Sequence, residues 1–460
     1  MRDELLLGID LGTSSIKANA IDRHGRSIGI GVAATPFVDG EHGVDMTITA
    51  LFDAVQNAVA GLGVLASRVA AVGVASMGET GTLIGPDGPG ELPLVAWHDD
   101  RGSEIVRELI HEFGVDEIQR RTGRRPRSVT SVAKLGWLLR NGHSAGGTWT
   151  GVAGATLWKL TGAIAQEESL AASSGAFNPV SGEYDREILA TLGLNSLGWA
   201  PVHRAGAKLG HVSRLGAAWS GLPAGIPVTI AGHDHPVGVI GSGGDSTEVI
   251  DSMGTGEPLV VPWDASTSTE AHPAWPDQMG DLTITPWPGT ERFMLLWETL
   301  RPGLALRHLQ QAMRVDRGDI EFSSIQVDAE PLELPQLLAM QEGEISADLL
   351  SRSPEKSWAA TLEGYARAAA HAEENLRALA DVTGTTLLIG GGLRSRRWLE
   401  AKLRRAQYPV EMAEEREAVS RGAALLAGVA AGWWAPESYP PADTIPLSSG
   451  SKHGGVPYRV

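Results

Sequence analysis

Hydrophobic and polar positions alternate along this chain in a pattern that repeats once. An apolar run at 5–10 closes on an acid, Asp10. A turn of small residues follows at 12–15, and 16–21 reads as a second strand. The polar turn Asp22-Arg23-His24-Gly25-Arg26 leads into a third strand at 27–34. The spacing then predicts a helix over 49–65, a strand at 69–75, and helices at 103–113, 129–140 and 149–160. A short strand at 226–231 closes the first half.

The second half begins as the first did, with a strand at 249–252, a turn at 253–256 and a return strand at 258–261. Both openings read strand, Gly-Thr turn, strand, an internal echo that duplicated lobes would explain. Segment 263–290 is rich in Pro, Ser, Thr and Trp and predicts an extended loop. The strongest helical rhythm lies at 356–380. There Trp358, Leu362, Tyr365, Ala369, Ala372, Leu376 and Leu379 recur at 4-3-4-3 spacing, and Gly384 follows as terminator. A strand at 385–389 runs into Gly390-Gly391-Gly392 and a helix at 395–406. The order of strands and helices predicts an α/β protein. Region 301–355 gives no legible pattern beyond Arg301-Pro302-Gly303, which would border a cleft.

Length changes this picture by requiring more than one core: 460 residues at ~100–200 per domain means two large domains or three small. With 42% hydrophobic and 20% charged residues, the composition is that of a globular protein, neither disordered nor membrane-spanning. The formal net charge of −17 is spread evenly and repels phosphodiester backbones, so nucleic acid is not an expected partner. A bound nucleotide must instead be held by backbone N–H groups, a metal ion and a few local cations. No cysteine is present, which removes disulfides, thiolate zinc sites and Cys nucleophiles. The acidic start with a short apolar run at 5–7 does not make a signal peptide. The apolar stretch 423–434 falls short of the ~18–20 residues that span a bilayer. A cytoplasmic protein is expected.

Five segments could carry chemistry. In Asp10-Leu11-Gly12-Thr13-Ser14-Ser15, an acid closes a buried strand and a small-residue turn exposes N–H and hydroxyl donors. Such a turn can cradle phosphate, with Asp10 on Mg²⁺ directly or through water, or it can be an ordinary hairpin. Gly254-Thr255-Gly256 offers the same device from the second half. Neither G-x-x-x-x-G-K-[ST] nor a G-x-G-x-x-G after the first strand occurs, so P-loop and dinucleotide folds have no support. In Gly232-His233-Asp234-His235-Pro236, Asp234 could take a proton from a hydroxyl as its oxygen attacks phosphorus, or could simply cap a helix. The adjacent His-Asp-His residues are not expected to converge on one ion. Met77-Gly78-Glu79-Thr80 and Trp97-His98-Asp99-Asp100-Arg101 supply an apolar face and hydroxyl partners suited to a polyol, or a surface turn with an Asp–Arg pair. Gly390-Gly391-Gly392-Leu393-Arg394-Ser395 would let a flat ring or phosphate approach the backbone, or would merely form a tight turn.

Taken in order, these segments resemble the FGGY carbohydrate kinase family over nearly the whole chain. The likeness extends to Lys134-Leu135-Gly136-Trp137-Leu138, to Arg396-Arg397-Trp398 after the glycine loop, and to Glu417-Ala418 with Gly422-Ala423-Ala424. The resemblance implies two actin-like (ribonuclease H-like) ATPase domains with an interdomain cleft, a sugar-binding domain at 1–243 and a nucleotide-binding domain at 244–460. It implies ATP and Mg²⁺ as cofactors and transfer of the ATP γ-phosphate to a hydroxyl of a ketose or polyol. By the same resemblance Asp234 is the general base and Asp10 lies near Mg²⁺. Thr13, Ser14, Ser15, Lys17, Gly254, Thr255, Gly391, Gly392 and Ser395 meet the nucleotide. Met77, Gly78, Glu79, Trp97, Asp99 and Arg101, with Asp234, meet the sugar.

Glu400 stands where the family often has Gln, Leu403-Arg404 where it has Ala-Asp, and Val129 where a small or aromatic residue is usual. Met77-Gly78-Glu79-Thr80 is similar to the Arg-Glu-Thr of the family's glycerol kinases, but Gly78 replaces the Arg, which argues against glycerol. The Trp-x-Asp-x-Arg segment looks closer to the xylulokinases. The partners implied are a small-molecule sugar or polyol and no membrane, with a homodimer left open. Two rivals remain at this point: a sugar-independent ATPase on the same lobes, and a catalytically silent sugar-binding regulator.

Overall fold

A computed structural model of the chain describes residues 4–143, 146–244, 247–264, 282–321 and 329–447. Two large mixed sheets organise it, and they are wired alike. In the first, strand Leu5–Leu11 pairs antiparallel with Ser15–Ile21, which pairs antiparallel with Ser27–Ala34. On its other side Leu5–Leu11 runs parallel to Val69–Ser76, which runs parallel to Pro227–His233. In the second sheet, Val249–Ser252 pairs antiparallel with Leu259–Trp263, and that strand with Phe293–Trp297. Val249–Ser252 also runs parallel to Thr386–Ile389, and that strand to Val410–Ala413. Even the outer antiparallel strands correspond, Gly210–His211 in one sheet and Thr444–Leu447 in the other. The Gly-Thr echo in the sequence therefore marks the same turn of a duplicated topology, the doubled actin-like ATPase fold.

The central strands are covered on both faces, which is why they read as continuous apolar runs rather than alternating ones: every residue of Leu5–Leu11 is buried. Between the sheets lie two helices, Asp234–Ser242 and Ala418–Ala430. The second belongs in sequence to the C-terminal half but packs on Leu5–Leu11, Val69–Ser76 and Pro227–His233 of the N-terminal sheet. A shared core joins the halves here, with Leu6, Ile21 and Ala71 packed in one cluster with Ile250, Leu387 and Ile389. Glycine makes the approach of the two helices possible: a Cβ on Gly241 would lie 1.6 Å from the carbonyl oxygen of Ala418.

The helix expected at 356–380 is Pro354–Ala380, capped by the Ser353 hydroxyl, with Trp358, Leu362, Tyr365 and Leu376 buried. Three readings are corrected. Segment 149–160 is not one helix: Thr148–Gly151 is a strand that pairs with Gly81–Gly85, and the helix is Val152–Thr161. Its β-branched threonines meet a sheet partner that local spacing could not reveal. Segment 263–290 is not wholly loop, because Leu282–Pro286 is a strand at the sheet edge, where a proline is tolerated; 265–281 lie outside the described residues. The illegible 301–355 region contains helices Pro302–Met313, Leu334–Gln341 and Ala347–Ser351. Among the described residues no helix is long and apolar enough to cross a membrane.

Candidate active site

Leu5–Leu11, Val69–Ser76 and Pro227–His233 run parallel, so their carboxyl ends share one edge of the sheet. That edge receives Asp10, the Met77–Thr80 turn and the His233-Asp234-His235 segment together. Ligands of open α/β sheets bind at such an edge. The second sheet presents Gly254-Thr255 and the 390–394 loop in the same way, after Val249–Ser252 and Thr386–Ile389.

Asp10 is buried, and its Oδ1 accepts no hydrogen bond. Burial pushes its carboxyl up to about 7; the nearby Asp234 charge adds to this, while Lys17 and His235 oppose it. Lys17 lies opposite Asp10 in the strand register and forms an ion pair with Glu417 at 2.5 Å, a bridge from the first turn to the loop before Ala418–Ala430. A buried carboxylate oxygen without a donor, facing other acids, is a fitting place for a divalent cation.

Asp234 opens its helix while His233 ends its strand, and this change of backbone direction overturns the expectation that the three residues point apart. The ligand atoms of His233, Asp234 and His235 all lie within 4.8 Å of one another. His233 Nε2 stands 3.2 Å from Asp234 Oδ1, and the His235 backbone N–H donates to that same oxygen at 2.8 Å. The His233 backbone N–H donates to Ser169 Oγ at 2.8 Å. That hydroxyl in turn donates to Glu167, a buried carboxyl pushed up to about 8 by burial against the pull of the Ser169 hydrogen bond.

In the Met77–Thr80 turn, Glu79 sits in the left-handed region at φ 59° and its side chain is buried. Its Oε1 accepts from both terminal nitrogens of Arg124 at 3.3 Å, and Arg124 also donates to the Ser173 carbonyl at 2.7 Å. Burial raises the Glu79 carboxyl above its usual range even against Arg124. At Gly78 a Cβ would meet Ser173 Oγ at 2.9 Å and His233 Nε2 at 3.2 Å, so any side chain there would have to displace Ser173 or His233. Met77 is buried in the core beside this turn. Trp97 donates its indole N–H to Thr13 Oγ1 at 2.8 Å, tying the Trp97–Arg101 segment to the Gly12–Ser15 turn. Asp99 and Arg101 are engaged with each other and with the Val38–Met46 region. Asp99 accepts from Arg101 N, Nε and Nη2 and from the Val44 N–H, while Arg101 also donates to Asp45 and the Val44 carbonyl. Both are buried, and their polar atoms face protein partners.

Sequence reasoning missed Arg124, Ser173, Glu167 and Glu298. Glu298 reaches in from the C-terminal half, with its Oε1 3.9 Å from His235 Nε2. Burial disfavours its charge, but His235, Arg127 and Arg124 outweigh burial and hold the carboxyl below its usual range. A signal was available, since the apolar strand Phe293–Trp297 closes on this acid just as Leu5–Leu11 does around Asp10.

In the second sheet, the Gly392 N–H donates to the Met253 carbonyl at 2.7 Å, so the glycine loop and the second Gly-Thr turn touch directly. Gly303 packs on that turn, where a Cβ would meet the Gly254 carbonyl at 2.4 Å; this seats Arg301-Pro302-Gly303 beside it. Gly391 is exposed with open space at its Cβ position, whereas Gly392 is buried against Met253 and Trp398. Ser395 caps helix Arg396–Arg405 and donates its hydroxyl to Glu321 at 2.7 Å. Ser14 is exposed on the first turn, and the Ser15 carbonyl closes that turn onto the Gly12 N–H at 3.2 Å. Of the departures from the family pattern, Glu400 pairs with Arg396 and Arg404 with Glu363, both at the surface.

Residues 5–241 match the N-terminal domain of the FGGY family of carbohydrate kinases. An L-fuculokinase of Salmonella typhi is 24% identical over 94% of this chain and 93% of its own. Among solved structures, a xylulose kinase from Rhodospirillum rubrum superposes with a TM-score of 0.79 at 21% identity, over 96% of this chain and 94% of that one. A Plasmodium falciparum glycerol kinase solved with ADP does so with a TM-score of 0.75 at 17% identity, over 94% and 90%. The two structures share the fold.

Proposed function

The chain belongs to the FGGY family of carbohydrate kinases, phosphotransferases with an alcohol group as acceptor, and from that premise we propose that it transfers the ATP γ-phosphate to a hydroxyl of a sugar (a ketose) or polyol, with Asp234 as general base. The observation that carries this reading is the meeting of Asp10 and Asp234 at one sheet edge, close enough for the charge of one to raise the pKa of the other. One acid suits a cation and the other a proton.

Phosphoryl transfer asks chiefly for positioning and charge neutralisation. In this proposal Thr13, Ser14 and Ser15 cradle phosphate oxygens from the N-terminal half, and Gly254 and Thr255 from the other. Gly391 and Gly392 lie against the adenosine, with Ser395 holding their loop. Mg²⁺, held by Asp10 directly or through water, would neutralise charge on the transferred group. Lys17 balances Asp10 and Glu417 beneath the first turn.

Asp234 takes the proton of the attacking hydroxyl, and His233 and His235 fix the orientation of its carboxylate. Glu79, buried and paired with Arg124, offers sugar hydroxyls an acceptor beside a donor. Trp97 gives their C–H face an apolar wall, and Met77 and Gly78 shape the floor. Asp99 and Arg101 act by holding the Trp97 segment in place. We assign sugar binding to 1–243 and nucleotide binding to 244–460, with the Ala418–Ala430 helix as the part of the latter that anchors to the former.

The test is ADP release with Mg²⁺-ATP across ketoses, aldoses and polyols, with a no-sugar control. One sugar that raises the rate about a hundredfold or more supports the reading. Steady hydrolysis indifferent to every sugar sinks it in favour of an ATPase.

A further inference from the structure

Beneath the second Gly-Thr turn lies a group of charges that the chemistry above does not use. Asp251 is on strand Val249–Ser252, Glu257 leaves the turn, and Lys402 projects from helix Arg396–Arg405. Lys402 Nζ stands 2.5 Å from Asp251 Oδ2 and also pairs with Glu257. Side-chain exposure is 8% for Lys402, 3% for Asp251 and 0% for Glu257, so water does not screen the three. Asp251 Oδ1 and Glu257 Oε2 lack a hydrogen-bond donor, and the Lys402 ammonium beside Asp251 Oδ2 and Glu257 Oε1 is the main compensation for the two acids.

The placement gives this cluster a purpose. Asp251 and Glu257 flank the turn assigned to phosphate, and Lys402 is on the helix that leaves the glycine loop assigned to adenosine. The Gly392 N–H to Met253 carbonyl bond also joins the turn to the glycine loop that leads into this helix. We propose that Lys402 is a positioning residue of the nucleotide site, clamping the Gly-Thr turn to the helix after the glycine loop and so setting the distance between phosphate and adenosine contacts. The inference rests on the nucleotide assignment above.

Two carboxylates and one ammonium leave an excess negative charge unless one acid keeps its proton. Burial pushes Glu257 up to about 8 against the pull of Lys402, with Asp251 adding to the rise. Lys402 is itself held above its usual range, because Asp251 and Glu257 outweigh burial. Tyr365 of helix Pro354–Ala380 also faces Glu257. While Glu257 keeps its proton the group is neutral; once Glu257 ionises, at a pH well above the usual carboxylate range, a net negative charge stands under the turn assigned to phosphate and repels nucleotide.

The experiment is Mg²⁺-ADP binding by calorimetry, with KM for ATP and for the sugar measured alongside. Lys402→Met is expected to weaken ADP about tenfold, leaving KM for the sugar within about twofold. The triple variant Lys402→Met/Asp251→Asn/Glu257→Gln removes all three charges together, keeps the fold even where the single variant does not, and is expected to show the same loss. Wild-type ADP affinity should fall above about pH 8, and Glu257→Gln should flatten that limb. A folded triple variant that binds ADP as wild type does overturns the inference while the proposed function stands. Wild-type protein that binds no Mg²⁺-ADP overturns both.

Discussion

The indole N–H of Trp97 donates to the hydroxyl of Thr13 at 2.8 Å. One residue comes from the segment assigned to the sugar and the other from the turn assigned to phosphate. The bond is therefore a direct mechanical link between the two proposed subsites. Trp97→Phe keeps an apolar wall and removes the link. Loss of a neutral hydrogen bond of ~1 kcal/mol should lower kcat/KM about fivefold, with KM for ATP and for sugar both raised. Steady-state kinetics with each substrate varied would show it; a change confined to the sugar would mean that the link carries nothing.

Asp234 sits at the start of its helix with His233 and His235 folded around it. Asp234→Asn keeps the shape and hydrogen-bonding capacity but cannot take the proton. We expect kcat to fall ~10²–10⁴-fold with ADP binding retained. A variant that keeps more than about a tenth of the wild-type rate would remove Asp234 from the base role.

Glu79 and Arg124 are nearly excluded from water and hold each other at 3.3 Å. Arg124→Met would leave a buried carboxylate without its cation, at a cost of ~3–5 kcal/mol. A clear drop in Tm is the expected result. Adding Glu79→Gln should restore much of the stability, since the orphaned charge is gone, yet should not restore sugar-stimulated turnover. Thermal melts of the single and double variants separate a structural pair from one that also serves the substrate.

Much of the fold could be read from the chain because its central strands carry their own signal. Leu5–Leu11 and Val249–Ser252 are buried strands whose apolar residues run into an acid, Asp10 and Asp251, before a small-residue turn, and they reappear in the structure at the same place in two sheets. Pro354–Ala380 was equally plain, being a long amphipathic helix with a Ser cap. What stayed hidden depends on contacts distant in sequence. Thr148–Gly151 is a strand only because Gly81–Gly85 lies beside it. Arg124 meets Glu79 across 45 residues, and Glu298 meets His235 across the two halves. Asp99 and Arg101 show the converse: they read as partners for hydroxyl groups, yet they satisfy each other and the Val44 backbone. Pattern alone identifies a polar residue but not the group that claims it.

Asp10 gives a prediction whose sign runs against intuition. Its carboxyl titrates at about 7 in the folded protein, raised from 3.8, first by burial and then by Asp234. Between those values the folded state binds more protons than the unfolded one. Stability therefore falls as pH rises through that window and levels off above about 7. Asp10→Asn removes the charge that must be buried ionised at alkaline pH, so at pH 8 the ligand-free variant should melt a few degrees above wild type while losing transfer activity. In the proposed reading Mg²⁺ competes with that proton, so the stabilisation that Mg²⁺-ADP gives wild type should be larger at pH 8 than at pH 6 and much reduced in the variant. Melting curves at the two pH values, with and without Mg²⁺-ADP, check both statements. An Asp10→Asn protein that is less stable at pH 8 and equally stabilised by Mg²⁺-ADP would mean that this carboxylate is a structural acceptor rather than the seat of a cation.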